Sequence, residues 1–199
     1  MEHTPPPDTR QATDSEAIAA SIGDPERFSQ VFDRHWDEVH RYVIRRLGPE
    51  LAEDVSAETF VVAFRARARY DLSRPDARPW LYGIATNLIR DHRRAEGRRQ
   101  RILAKANAEW VTAPFDESSD ARLTAQRLGP RIASILGRLS AAERDLLLLI
   151  AWADLTYEEA AQALDLPLGT VRSRLHRVRR KLRRAFGGID PSRLQEEFA

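Results

Sequence analysis

Apolar residues along this chain recur at steps of three and four, the period of a helix with one buried face. No run of alternation is long enough to mark a strand. From Phe28, the residues Val31, Phe32, His35, Val39, Val43 and Leu47 share one helical face, and Gly48-Pro49 ends that helix. A second helix is expected from Glu50 to about Ala68, with Leu51, Val55, Val62 and Ala66 on one side and Phe60 and Phe64 on a neighbouring strip. Its early polar face carries Glu53, Asp54 and Glu58. After a loop with Pro75 and Pro79, Leu81, Ile84, Ala85 and Leu88 mark a third helix that runs into the basic segment IRDHRRAEGRRQR. Three helices with short connections predict a compact bundle.

From Arg98 to Pro130 the periodicity fades, and TAPFDESSDARL reads as a linker with an acidic middle. A second helical unit follows. Ser140 with Glu143, and Thr156 with Glu159, match capping boxes and place helix starts at both points. The first of these helices contains the apolar run LLLLIAW and is expected to be buried. The segment DLPLG is a tight turn, so TYEEAAQAL and TVRSRLHRVRRKL form a helix-turn-helix. On its second helix Val171, Leu175, Val178, Leu182 and Phe186 make an apolar stripe, surrounded by Arg172, Arg174, Arg177, Arg179, Arg180, Lys181, Arg183 and Arg184. No acid interrupts the chain between Asp165 and Asp190. The expected fold is therefore all-α, two small helical domains joined by a flexible linker. Residues 1–25, rich in Pro, Thr, Asp and Ser, read as a flexible tail. The first domain covers 26–98, the linker 99–131, the second domain 132–187, and a short C-terminal tail 188–199.

The formal net charge of +2 hides a segregation of basic clusters from acidic ones, which points to a polyanion on one face and a basic partner on another. Helical hairpins also serve as plain packing units, but a packing helix does not need eight cations without an interspersed acid. In the DNA-binding arrangement, Arg172, Ser173, His176 and Arg177 are the candidates for base contact, and Arg174, Arg179, Arg180 and Arg183 for the backbone or other surfaces. Arg90, Arg93, Arg94, Arg98 and Arg99 form a second basic run, with Trp80, Tyr82 and Asn87 just upstream. Aromatic rings beside cations suit unstacked bases and an amide can read a base edge, although Trp80 serves equally well as a core residue. The absence of cysteine excludes disulfides, thiolate metal sites and cysteine nucleophiles. The five histidines have no metal-ligand spacing, and no phosphate loop or catalytic triad is visible, so neither enzyme chemistry, a cofactor nor a metal is expected. The longest apolar run falls well short of the roughly 20 residues that span a bilayer, so no membrane contact and a cytoplasmic location are expected. Two readings to weigh for such a basic helix are a dimeric helix-turn-helix regulator that binds duplex DNA unaided and an enzyme acting on nucleic acid.

Taken together, AEDVSAETFVVAF, PWLYGIATNLIRDHRR and LTYEEAAQALDLPLGTVRSRLHRVRRKL resemble, in order, three motifs of bacterial RNA polymerase sigma factors of the extracytoplasmic-function group of the sigma-70 family. The likeness runs from about Phe28 to Phe186. It implies core RNA polymerase as partner, through the beta-prime clamp helices and the beta flap, together with promoter DNA. Asp54, Glu58 and Phe60 fall on the implied polymerase-docking positions. Trp80, Tyr82, Asn87, Arg90, Arg93 and Arg94 fall in the implied minus-10 segment, with Asn87 at the position that helps capture a flipped base. Thr170, Arg172, Ser173, Arg174, His176, Arg177 and Arg180 fall in the implied minus-35 reading helix. Ala57 stands where the family often has Gln, and Gly83 where many members carry Arg. The resemblance also admits an anti-sigma factor as a further partner, although no residue identifies one.

Overall fold

The computed structural model describes residues 12–106 and 136–185. Every regular element among them is helical, in two units, as the periodicity predicts. The first unit comprises α1 (Asp14–Ala20), α2 (Ser29–Leu47), α3 (Pro49–Ala66) and α4 (Arg78–Ala106), with 3-10 turns at Pro25–Phe28 and Arg67–Arg69. The second comprises α5 (Ala141–Trp152), α6 (Tyr157–Ala163) and α7 (Leu168–Ala185). The C-terminal tail, Phe186 and most of the expected linker lie outside the described residues, while α4 continues as helix eight residues past the expected end of the first domain, to Ala106.

Gly48 alone joins α2 to α3. Its φ of 88° and ψ of 169° are open to glycine and strained for other residues. Its N–H closes α2 on the Ile44 carbonyl at 2.9 Å, and Pro49 opens α3 where a missing N–H is harmless. Val31, Val39 and Val43 of α2, Val55 and Ala63 of α3, and Leu81, Ala85 and Ile89 of α4 are all fully buried. The buried side of α3 is Ala52, Val55, Ser56, Thr59, Phe60 and Ala63, rotated from the expected strip, and Leu51 is exposed. Small residues occupy the close approach to α2, and Thr59 satisfies its hydroxyl on the Val55 carbonyl at 2.7 Å.

The tail expected to be flexible through residue 25 contains α1. Thr13 and Glu16 form a reciprocal capping box, the same signature that marks α5 and α6. Ala17 and Ile18 are buried, and Asp14 clasps the helix to the bundle. Its carboxylate accepts from His35 Nε2 at 2.7 Å, from Arg34 at 2.9 Å and from the Ala77 N–H at 2.9 Å. Burial opposes its charge, yet the bonds from His35 and Ala77 outweigh that and hold the carboxyl at about 2. Burial likewise opposes the His35 cation, and the Asp14 and Glu38 carboxylates overcome it, raising the imidazole to about 9.

In the second unit, both expected capping boxes form, Ser140 with Glu143 and Thr156 with Glu159. Leu146, Leu148 and Leu149 of α5 are buried, as are Val171, Leu175, Val178 and Leu182 of α7. The α6–α7 turn passes through Asp165 at φ 51°, after which Leu166 N–H returns to the Ala161 carbonyl at 2.9 Å. The two units share one apolar core, which runs from Ala17 in α1 to Leu175 in α7.

Candidate nucleic-acid interface

The four inward residues of α7 fix the direction of the rest. Because they seat the helix on α5 and α6, Arg172, Ser173, His176, Arg177 and Arg180 face solvent, with Thr170 and Arg174 half-buried beside them. The N-terminal half of this face offers two guanidinium groups, an imidazole and a hydroxyl within two turns, the donor set that reads base edges in a major groove. Ser173 donates to the Thr170 carbonyl at 3.0 Å, and Arg172 lies 3.6 Å from Glu158 on a fully wet surface. Such an exposed pair is worth at most about 1 kcal/mol and yields readily to a phosphate. Further along, Arg179 bonds the Tyr157 hydroxyl and stacks on its ring, and Lys181 pairs with Glu143 at 2.7 Å. These two cations are braced against α6 and α5.

On α4 the expected minus-10 residues divide. Asn87 and Arg94 are exposed, and Arg94 pairs with Asp91 one turn earlier. Trp80 is half-buried, with its ring 4.9 Å from Tyr70. Tyr82 is not a surface residue: it is 2% exposed, packed edge-on to Tyr42 at 5.2 Å, and burial pushes its hydroxyl well above the usual phenol range. Its place two residues beyond Trp80 turns it to the opposite side of the helix, so an aromatic pair in the sequence is not a pair in space. Arg90 and Arg93 turn inward for their partners. Arg90 reaches Asp145 at 2.5 Å and Asn87 Oδ1 at 3.3 Å, and Arg93 donates to the Arg46 carbonyl at 2.6 Å.

On α3, Asp54 and Glu58 are exposed beside Glu53, forming an acidic strip. Phe60 departs from the expected docking position, since it is 4% exposed beneath Phe32 and Trp36. The outer rings of that cluster are Phe32, stacked on Trp36 at 4.9 Å, and Trp36, stacked on His40 at 5.4 Å. Asp14, His35 and Asp76 present potential ligand atoms within 4.8 Å of one another, but both ring nitrogens of His35 are already bonded to carboxylates. The group acts as the α1 clasp.

Two residues had no signal in the sequence. Arg46, 2% exposed, donates to Tyr42 at 2.6 Å and to Asp145 at 2.5 Å, and Asp145 is itself 2% exposed. One buried carboxylate of α5 thus meets arginines from both α2 and α4. Nothing local in either helix marks them, because the partners stand 99 and 55 residues apart.

The model of sigma-70 region 2 matches residues 31–99, and that of sigma-70 region 4 matches residues 131–182. The chain is 33% identical over 157 residues to the ECF RNA polymerase sigma factor SigE of Mycolicibacterium smegmatis, an alignment covering 78% of this chain and 60% of that protein. It is 32% identical over 172 residues to the RNA polymerase sigma factor NccH of Alcaligenes xylosoxydans xylosoxydans, covering 84% of this chain and 91% of that one. Among solved structures, CnrH in complex with the cytosolic domain of CnrY aligns with a TM-score of 0.60 at 26% identity, over 89% of this chain and 99% of that chain. With both regions present in order and such relatives over more than three quarters of its length, this chain belongs to the extracytoplasmic-function group of the sigma-70 family.

Proposed function

We propose that this sigma factor docks on core RNA polymerase with the acidic strip of α3, reads a minus-35 element with α7 and holds the opened minus-10 strand on α4. The observation that carries this is the placing of unlike surfaces on separate helices, an acid strip at Glu53, Asp54 and Glu58 and an almost wholly basic face on α7. Asp54 and Glu58 meet basic groups on the polymerase, with Phe32 and Trp36 as the adjoining apolar contact. Arg172, Ser173, His176 and Arg177 read bases, while Thr170, Arg174 and Arg180 hold phosphates. Asn87 and Arg94 face the unpaired strand, with Trp80 at the edge of that surface. Each unstacked base costs on the order of a few kcal/mol, offset in part when an extruded base is captured. No bond is made or broken by the chain itself; its work is binding and positioning, and no cofactor enters.

The test is titration of the labelled chain with core RNA polymerase at near-physiological salt, beside the Asp54→Arg variant. Tight binding that the charge reversal weakens at least tenfold is the expected result. A chain that ignores the polymerase yet grips duplex DNA as a dimer would replace this reading with that of a helix-turn-helix regulator.

A further inference from the structure

The helix α4, to which the proposed function gives the opened strand, is partly covered by the chain's own second unit, although Asn87 and Arg94 themselves stay exposed. The fit is made at backbone level. A Cβ placed on Gly83 would stand 2.5 Å from the carbonyl oxygen of Ala163, the last residue of α6. No side chain can enter there unless the two helices part. Around this point, Asp145 of α5 receives Arg46 of α2 and Arg90 of α4, each at 2.5 Å. Arg78, at the start of α4, donates to the Ala153 carbonyl at 2.8 Å, and Arg45 lies 5.9 Å over the Trp152 ring.

From these contacts we infer that the free chain rests in a closed, self-inhibited state, in which region 4 is latched onto the strand-holding helix of region 2 through Gly83 and Asp145. The inhibitory half of this statement rests on the sigma reading above; the latch itself does not. Two physical arguments support it. First, elements named for positions minus 35 and minus 10 lie roughly 25 base pairs apart, on the order of 85 Å of duplex at about 3.4 Å per pair. Units in direct contact cannot serve both, whereas the chain from Ala106 to Leu136 can reach roughly 100 Å when extended at about 3.3–3.6 Å per residue. Second, a buried ion pair is close to break-even against its fully hydrated halves, so the Arg46–Asp145 contact gives the closure one geometry without making it irreversible. The glycine is the specific signature. The family resemblance leads one to expect arginine at position 83, and arginine has no room in the closed chain.

The chain has no cysteine, so single cysteines introduced at the exposed positions Asp33 and Ala141 accept a fluorescent donor and acceptor, one on each unit. Transfer efficiency in the free chain is then compared among the parent, Gly83→Ala, Gly83→Arg and Asp145→Ala. Asp145→Ala leaves Arg46 without its carboxylate and risks the fold. Gly83→Ala is the milder change, because the atoms nearest its methyl group all belong to Ala163 of the other unit and alanine is the better helix former. The expected result is high transfer in the parent, a fall in all three variants, and a fall in the parent when core polymerase is added. Where opening precedes docking of both units, apparent affinity is reduced by the closed fraction, so Gly83→Ala binds core polymerase roughly ten- to a hundredfold more tightly. Equal transfer in parent and variants overturns the latch. Lower transfer in the variants with unchanged polymerase affinity overturns self-inhibition. A chain that never binds polymerase, yet loses transfer on Gly83→Ala, sinks the sigma reading and leaves the latch standing.

Discussion

Asp14 shows how one side chain decides whether a segment belongs to the fold. Its carboxylate binds α1 to His35 and Arg34 of α2 and to the backbone at Ala77, the residue that leads into α4. Replacing it with alanine leaves three donors unsatisfied and is expected to lower stability by about 2 kcal/mol, roughly 4–8 °C in Tm for a chain of this size. The clasp also gives stability a definite pH profile. His35 is raised above its ordinary 6.5, so its contribution is complete below that value and is lost as pH rises through about 9. Asp14 is depressed, so its contribution is complete above 3.8 and is lost as pH falls through about 2. The urea midpoint should therefore hold from about pH 4 to 6.5 and decline on both sides, and Asp14→Asn should flatten the alkaline limb. A parent midpoint that stays level up to pH 9.5 would show that His35 does not bind α1 as a cation.

At the scale of the element, α7 divides its labour along its length. Arg172 is solvent-facing near the N-terminal end, whereas Arg179 is braced on Tyr157. Arg172→Ala is expected to relax base preference at one position by about 1–3 kcal/mol, and Arg179→Ala to weaken all sequences alike while lowering the salt slope by about 1. Binding isotherms on a promoter and on scrambled duplex, at three salt concentrations, separate the two; identical behaviour of the variants would remove the distinction. The sequence was a good guide to this helix because period, charge and turn chemistry agreed from Leu164 to Leu182. It was a good guide to α5 and α6 for the same reason, since their capping boxes form as spelled. It misled at α1, where a composition rich in Pro, Thr, Asp and Ser speaks for a tail while the same Thr-x-x-Glu signature starts a helix. It was a weaker guide at Phe60 and Tyr82, where the resemblance implies contact positions while the helical period, followed one residue at a time, takes both rings into the core. Arg46 and Asp145 were beyond its reach, because a buried charge becomes explicable only once its distant partner is known.

Across the whole molecule, ion contacts range from exposed to buried, and salt tells the two extremes apart. Arg172 and Glu158 are both more than half exposed, while Arg46 and Asp145 are almost fully buried. Raising salt from 0.1 to 1 M shrinks the screening length from about 10 to about 3 Å, which acts on exposed charges and much less on buried ones. DNA binding draws on the exposed class. If α7 and α4 together neutralise six or more phosphates, affinity for duplex falls roughly a thousandfold or more between 0.05 and 0.2 M salt. Closure draws on the buried class and on a core that both units share, and apolar burial is not weakened by salt. Transfer efficiency of the doubly labelled free chain should therefore stay level between 0.05 and 0.5 M sodium chloride, over the range in which DNA affinity collapses. Efficiency that drops in step with DNA affinity would mean that surface attraction between acidic and basic faces, rather than the Gly83 and Asp145 contacts, holds the units together. Level efficiency together with steep DNA dependence would place the two behaviours in separate structures of the same chain, one at the α4–α6 seam and the other on the outer face of α7.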